Sequence, residues 1–225
     1  MHTLIKQSRR VAATAATIVL AVAAAAAARP ATPVVTATAS AEGPQPSDRW
    51  LKKLNAPHRQ FFDAPTANGG VPLVHVMNYY DTYNKFYKVP DSDVDAVLTF
   101  YGATTFYGVK DAMWAKYRIG EFLETNDAAT GAPAVRNPWW ETPNILGMNM
   151  PQASIESLEK RGATFILCNN ALQIFAGMLA AKRGLDATVV YNDLRNNILP
   201  GVELVPGMVI AVEQAARAGL TYHRQ

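Results

Sequence analysis

The sequence has a single cysteine, Cys168, among its 225 residues. Domains that are stabilised by disulfides carry an even set of cysteines, so an internal disulfide is excluded. A chain of this length can bury a core that is large enough to be stable without such cross-links. Cys168 is therefore a buried structural side chain, a thiol that pairs with another molecule, or a working thiol.

The motifs that mark the common cofactor sites are also absent. The sequence contains no C-x-x-C pair, no H-x-x-x-H pair and no acidic cluster at ligand spacing, so no metal site is predicted. It has neither G-x-G-x-x-G nor a P-loop, which argues against a nucleotide cofactor, and it has no G-x-S-x-G serine elbow. Met148-Asn149-Met150 could offer thioether ligands to Cu(I), but methionines beside tryptophans more often serve packing. No cofactor is predicted.

The basic residues are unevenly distributed. The chain has 21 Lys and Arg against 18 Asp and Glu, a formal net charge of +3 and a pI of about 9.0. Lys6, Arg9, Arg10 and Arg29 lie within residues 1–41, where there is no acidic residue. Without these four, 17 basic residues face 18 acidic ones, so the rest of the chain has a net charge of about −1. It lacks the excess of positive charge that nucleic-acid binding requires, and we expect no nucleic-acid partner.

Residues 1–41 have the organisation of an export signal peptide. The basic segment MHTLIKQSRR precedes an apolar run over 11–28, and Ala39-Ser40-Ala41 has the A-x-A form of a signal-peptidase site. Cleavage near Ala28 is an alternative. The Ser8-Arg9-Arg10 triplet before an alanine-rich run resembles a twin-arginine signal, and an ordinary secretory signal or an uncleaved membrane anchor are the alternatives. We expect a periplasmic or secreted protein that has no membrane contact after cleavage.

The rest of the chain divides into a lead-in and a domain. Residues 42–70 combine a Pro/Ser linker with a polar segment, a short helix or surface strap that ends at Asn68-Gly69-Gly70. Residues 71–225 alternate apolar strands with amphipathic helices, which predicts an α/β fold with a mainly parallel sheet. The predicted strands are 71–77, 94–101, 163–167 and 202–205, with a β-prone piece at 188–191 and an edge strand within 220–225. The predicted helices are 78–89, 104–126, 154–161, 170–183 and 208–218.

Residues 126–152 interrupt this alternation. The segment contains Gly131, four prolines and the pair Trp139-Trp140, and it is longer than most loops inside a compact domain. We predict that the tryptophans form a subunit interface, because an insertion of this composition would otherwise be an exposed apolar flap. The alternative is that both rings pack on their own domain.

The second half of the chain combines the strand TFILCNNAL that runs into a cysteine, the segments Leu199-Pro200-Gly201-Val202 and Val205-Pro206-Gly207, and a helix that ends in EQAARAGLTY. In their order and spacing these elements resemble the DsrE/DsrF-like family of sulfur-relay proteins. The first half matches in outline through VPLVHVMN and VDAVLTFYG. The resemblance covers residues 71–225 apart from the loop at 126–152. It implies a three-layer α/β sandwich that assembles into homo-oligomers, trimers or hexamers.

The resemblance also implies a role for the cysteine. In family members that transfer sulfur, the cysteine after this strand accepts sulfur as a persulfide, and the corresponding position here is Cys168. The local sequence fits that role, because a helix that begins at Asn169 or Asn170 would direct unpaired backbone N–H groups at a negatively charged sulfur. A small buried cysteine without chemistry is the alternative.

Candidate ligand-binding residues follow from the geometry of a parallel sheet, whose strands share one carboxyl rim where ligands bind. We expect the residues at the ends of three predicted strands to line one pocket with the thiol: Asn78, Tyr79, Tyr101, Gly102, Asn169 and Asn170. His75, inside the first predicted strand, could act as a base. A hydrogen-bonded core or interface histidine is the preferred interpretation.

Two functions fit these observations. The first is an exported DsrE-like protein that binds or relays a small sulfur species through Cys168, with a thiol protein as a possible partner. The second is a binding or assembly module without catalytic activity, in which Cys168 is structural. The exposure of the sulfur and its distance from the N–H groups of the following helix separate the two.

Overall fold

The structure, a computed structural model, describes residues 46–225; the predicted export signal and the start of the linker lie outside the described residues. The main strands are β1 (His58–Asp63), β2 (Val94–Phe100), β5 (Thr164–Cys168), β6 (Val202–Val205) and β7 (Thr221–Arg224), and β3 (Asn144–Ile145) and β4 (Met148–Asn149) form a small antiparallel ribbon. The five main strands form one parallel sheet in the order β6-β5-β2-β1-β7. The predicted α/β fold with a parallel sheet is confirmed.

Seven α-helices connect or cover these strands within the described range: α1 (Val71–Thr82), α2 (Asp111–Tyr117), α3 (Ile119–Phe122), α4 (Ile155–Lys160), α5 (Asn169–Arg183), α6 (Ala187–Asn196) and α7 (Met208–Arg217). A π-helical turn, Tyr83–Tyr87, continues α1, and short 3₁₀ helices lie at Pro46–Lys53, Asn68–Gly70, Asp91–Asp93, Gly102–Gly108 and Pro151–Ala153. Among residues 46–225, no helix combines the length and the apolar character needed to cross a membrane.

Each face of the sheet carries its own hydrophobic cluster, because successive side chains of a strand point to opposite faces. On one face, Phe62 and Leu98 pack with buried residues of α1, α2, α4, α5 and α6. On the other face, Phe61 and Val97 pack with α7 and with Trp50 of the first 3₁₀ helix. The domain is therefore a three-layer sandwich with one thick and one thin helical layer.

The path of the chain produces one crevice at the carboxyl edge of the sheet. The helix α5, which follows β5, joins the thick layer, whereas α7, which follows β6, lies in the thin layer. The ends of these two strands are neighbours, since Cys168 pairs with Val205. Adjacent strands whose following helices diverge to opposite faces leave room for a ligand between the two helix starts. Cys168 lies at that point.

The first predicted strand, residues 71–77, is wrong: this segment is the first half of α1. The helix begins after Gly70, whose φ of 90° is left-handed, and Pro72 occupies its first turn. Its buried side chains Leu73, Val76, Met77 and Tyr80 recur at helical spacing. A short apolar run without polar interruptions fits a buried strand and a buried helix equally well, and here the glycine and proline decide for the helix.

The strand that precedes α1 lies inside the predicted lead-in. The segment HRQFFD forms β1, which pairs with β2 on one side and with β7 on the other. Its first half is polar and only partly buried, and its second half, from Phe61 to Asp63, is buried. Residues 46–70 thus contribute to the sheet and to the core instead of forming only a surface strap.

The remaining elements follow the predictions with two exceptions. Strands β2, β5 and β6, the edge strand β7 and helices α4, α5 and α7 lie where they were predicted. The β-prone piece at 188–191 is instead part of α6, because the side chain of Asp186 caps the helix by accepting from the Val189 N–H at 2.9 Å. The predicted helix at 104–126 is divided into a 3₁₀ helix, α2 and α3.

The loop at 126–152 packs closely on its own domain. Trp139 is only 4% exposed, and its ring centroid lies 4.1 Å from that of Tyr107. The Asn137 amide donates to two backbone carbonyls, those of Tyr107 at 2.7 Å and Val109 at 3.0 Å. Trp140 is partly buried against the same cluster. The predicted interface role of Trp139 is therefore corrected: the ring belongs to the core, since aromatic partners surround it within the chain.

Two local contacts fix the loop and α4 in place. The backbone of the loop crosses α3 at Gly120, where a Cβ atom would overlap the backbone of Ala134. At the end of α4, the Arg161 guanidinium donates to the carboxylates of Asp91 at 2.9 Å and Asp81 at 2.8 Å, and it lies 4.8 Å from the centre of the Tyr80 ring. This partly buried ion-pair cluster ties α4 to α1.

Candidate functional site

Cys168 is at once the last residue of β5 and the N-cap of α5. The residue is only 5% exposed. Its Sγ atom accepts a hydrogen bond from the backbone N–H of Ala171 at 3.4 Å and a second one from the N–H of Met208 at 3.3 Å. The first donor belongs to α5 and the second to α7, so the starts of two helices converge on one sulfur atom.

The local sequence explains why both donors are free to reach the sulfur. N–H groups in the first turn of a helix have no partner within that helix, and each helix start carries a partial positive charge. The two starts approach closely because Gly207 precedes α7: a Cβ atom there would lie 3.2 Å from the Asn170 amide nitrogen. The Asn170 N–H also donates to the Pro206 carbonyl at 3.3 Å. The turn before α7 is thereby held against the start of α5.

The sulfur lines a cavity of about 360 Å³ between these two helices. The cavity walls combine the ends of β2 and β5 with side chains of α5 and α7, namely Tyr101, Gly102, Asn170, Ala171, Ile174, Phe175, Gly207, Met208, Val209 and Val212. None of these residues is charged. A ligand in this space contacts mostly apolar groups, and its polar partners are the thiol, the Asn170 amide and backbone groups.

Of the six predicted ligand-binding residues, Tyr101, Gly102 and Asn170 line this cavity with Cys168. Gly102 has a φ of +59°, and a Cβ atom there would lie 2.8 Å from the Pro65 carbonyl oxygen, so a glycine is required. Burial, followed by a hydrogen bond with the Asp63 carboxylate, raises the pKa of Tyr101. Its phenol is therefore protonated and uncharged at neutral pH.

The other three predicted residues lie elsewhere. The Asn169 side chain accepts a hydrogen bond from the Tyr191 hydroxyl at 2.7 Å and lines a separate cavity next to α6. Asn78 and Tyr79 lie on α1 and line a cavity between that helix and the β7 edge of the sheet. The structure does not bring them to Cys168, because their segment is a helix in the thick layer and not the end of a strand.

His75 also lies on α1 and lines the same cavity as Asn78 and Tyr79. Its Nδ1 atom is 2.5 Å from Oε1 of Gln225, and its ring stacks on that of His223 with centroids 5.3 Å apart. The preferred interpretation, a hydrogen-bonded histidine, agrees with this contact. His75 does not line the cavity of Cys168.

Sequence reasoning missed the contribution of α7. The N–H of Met208 and the side chains of Val209 and Val212 complete the site from the second helix. The turn Val205-Pro206-Gly207 at a strand end was a visible signal. Its position beside Cys168 depends on the pairing of β6 with β5, which is a tertiary property. Comparisons of the chain with protein-family models, curated proteins and solved structures found no match.

Proposed function

We propose that this is an exported protein of DsrE-like type in which Cys168 takes up one sulfur atom from a small sulfane-sulfur donor and passes it to a thiol partner. The observation that carries the proposal is the convergence of two backbone donors, from α5 and from α7, on Sγ of Cys168. The export signal predicted at residues 1–41 supports action outside the cytoplasm.

The two donors are placed to hydrogen-bond a negatively charged sulfur. A thiol is a weak acceptor, whereas an anion at the same position gains from both N–H groups and from the dipoles of two helices. The thiolate is the form of cysteine that attacks other sulfur atoms. A persulfide carries its negative charge on the outer sulfur, one bond further into the cavity, where the same helix starts still act on it.

The proposed transfer is balanced without an additional oxidant. The Cys168 thiolate attacks the terminal sulfur of a polysulfide, a bond forms between that sulfur and Sγ, and the adjacent S–S bond of the polysulfide breaks. The shortened polysulfide leaves with the electron pair. In the second step an acceptor thiolate attacks the outer sulfur of the persulfide, and the Cys168 thiolate leaves.

The shape and lining of the cavity fit this substrate class. Its volume of about 360 Å³ is at the lower end of the usual range for small-molecule sites. Phe175, Val209 and Val212 offer apolar contacts, which suit the soft, polarisable atoms of a sulfur chain. The low exposure of Cys168 also limits the access of large oxidants to the sulfur.

The second candidate function is assembly without sulfur chemistry, and one specific observation favours it. Large apolar side chains are exposed on α5 and α7, the two helices that border the cavity: Ile174 at 62%, Val209 at 79% and Ile210 at 52%. An exposed group of this kind beside a pocket is typical of a contact between subunits. In this alternative Cys168 serves only as the N-cap of α5.

Intact-mass spectrometry after treatment with polysulfide tests the first function. Since the chain has one cysteine, every sulfur adduct must be on Cys168. We expect one adduct of about 32 Da that disappears on reduction and is absent in Cys168→Ala and in protein alkylated beforehand under denaturing conditions. An unmodified mass, together with a native thiol that does not react with iodoacetamide, would refute the sulfur-carrier function.

Native mass spectrometry of Val209→Glu tests the second function. Val209 is exposed, so the substitution leaves the core intact and places a charge on the predicted contact. We expect the variant to shift from oligomer to monomer, while Val135→Glu, an equally drastic change at another exposed valine, leaves the assembly unchanged. A monomeric wild-type protein would exclude the assembly function.

A further inference from the structure

A cavity larger than the one that contains Cys168 lies elsewhere in the domain. It has a volume of about 570 Å³ and lies between α1, the π-helical turn after it and the strands β1 and β7. Seven rings dominate its lining: His58, Phe62, His75, Tyr79, Tyr83, Tyr87 and His223. The volume is well within the usual range for a small-molecule site, and the lining is mainly aromatic with a few polar groups.

Several rings of the lining are steeply inclined to one another, whereas His75 and His223 stack. The Tyr83 centroid lies 4.3 Å from that of His58 and 5.1 Å from that of Tyr79, to which its plane is inclined by 89°. The Tyr87 ring is inclined by 49° to Tyr83, and the Phe62 ring by 71° to Tyr79. A flat ligand needs parallel walls on which to stack. Walls at these angles instead suit a compact, rounded group.

The charges around this cavity exclude several ligand classes. None of its lining residues is Lys or Arg, so an anion finds no such cation to pair with, and none is Asp or Glu. Within residues 46–225, no group of His, Cys, Asp and Glu side chains is arranged to hold a metal ion. Burial and the neighbouring His75 lower the pKa of His223, so that this imidazole is uncharged at neutral pH.

The phenol of Tyr79 is uncharged, and one largely buried carboxylate acts on it. Burial, then Tyr83, and then the carboxylate of Asp95 raise the pKa of Tyr79, so its phenol stays neutral. The charged group among these causes, Asp95, is negative. Asp95 is itself only 9% exposed. The face of an aromatic ring attracts a cation within about 6 Å of its centroid, most strongly where water is excluded.

We propose that this cavity binds a small organic cation with a methylated ammonium head, held by the faces of Tyr79, Tyr83 and Tyr87. A quaternary ammonium group has no N–H to donate, so the lack of carboxylates in the lining costs it no hydrogen bond. Its rounded methyl surface fits walls that meet at steep angles. The site is independent of Cys168, which lines a different cavity.

Isothermal titration calorimetry with choline and with its neutral isostere, 3,3-dimethylbutan-1-ol, tests the proposal. The two probes have nearly the same shape and differ in charge. We expect saturable binding of choline that is about tenfold or more tighter than binding of the alcohol. Equal affinity for both probes, no saturable binding of choline, or tighter binding of the flat, neutral probe indole would overturn the proposal.

Matched variants then test whether the rings are responsible. Tyr83→Phe keeps the aromatic face and should bind choline as the wild-type protein does, whereas Tyr83→Leu should bind it about tenfold more weakly. Tyr87→Leu serves as a second variant, because Tyr87 is 67% exposed and its loss does not disturb the core. Cys168→Ala should leave choline binding unchanged. Wild-type affinity in both leucine variants would refute the proposal.

Discussion

The hydrogen bond from the Met208 N–H to Sγ of Cys168 can be removed without moving the helix that supplies it. Met208 is the first residue of α7, where proline is well tolerated because the N–H has no partner within the helix. The preceding residue, Gly207, has an extended conformation with φ −156° and ψ 134°, which suits a residue before proline. Met208→Pro therefore deletes the donor. Met208→Ala loses the same buried side chain but keeps the N–H.

The size of the expected effect follows from the contact. A hydrogen bond to a charged group contributes about 1.5–3 kcal/mol, and sulfur is a weak acceptor, so we take about 1.5 kcal/mol for the contact of 3.3 Å. This free energy corresponds to about a tenfold change in rate. The Ala171 donor remains in both variants, so the reaction should be slowed and not abolished.

The assay is the rate at which Cys168 forms a persulfide with a fixed concentration of polysulfide at one pH. Circular dichroism first establishes that both variants are folded at the assay temperature, since each loses a buried methionine side chain. We expect Met208→Pro to react about tenfold more slowly than Met208→Ala. Equal rates in the two variants would refute the idea that the start of α7 activates the sulfur.

Three further predictions concern the fold. Gly120→Ala should lower the free energy of unfolding by about 3 kcal/mol, because the new methyl group overlaps the loop backbone. Gly177→Ala, in open space on α5, should raise it by about 0.5–1 kcal/mol. Equal thermal stability of the two variants would contradict the close packing of the loop on Gly120. Burial, and after it the Glu156 carboxylate, raises the pKa of Glu159 from 4.5 to about 7. Between these pH values the folded protein holds a proton that the unfolded chain has released. The free energy of unfolding should therefore fall as the pH rises from about 4.5 through about 7. Glu159→Gln should make this decline smaller by roughly 1 kcal/mol, after allowance for partial exposure. Urea unfolding at about pH 5 and about pH 8 measures the decline in both proteins, and an equal decline in the variant and the wild-type protein would contradict the prediction. Arg161→Lys cannot reproduce the forked contacts to two carboxylates and should lower the free energy of unfolding by about 1–3 kcal/mol; an unshifted urea midpoint would argue against that cluster.

The class of fold and the setting of Cys168 could be predicted from the sequence because the local patterns there have one interpretation. The run from Thr164 to Cys168 is apolar, β-prone and followed at once by a helix that ends at Gly184. By contrast, residues 71–77 are apolar throughout, and such a run does not distinguish a buried strand from a buried helix. Gly70 and Pro72, which start α1, were the local features that pointed to the helix.

The composition of the site was only partly predictable, for a related reason. Tyr101 and Asn170 line the cavity of Cys168, and their place was visible in the sequence because each directly follows a strand or opens the helix after it. Asn78 and Tyr79 were assigned through the misplaced strand, and the structure places them at a different cavity. The donor from Met208 depends on the order of strands in the sheet, which no local pattern specifies.

The most direct test of the proposed function is a crystal structure of the protein after treatment with polysulfide. The account predicts one additional sulfur atom bonded to Sγ of Cys168, lying in the cavity of about 360 Å³ near the starts of α5 and α7. It also predicts that the Ala171 and Met208 N–H groups remain directed at the modified side chain. An unmodified Sγ in a crystal soaked to completion, or an adduct that forms only when α7 has moved away from the sulfur, would contradict it.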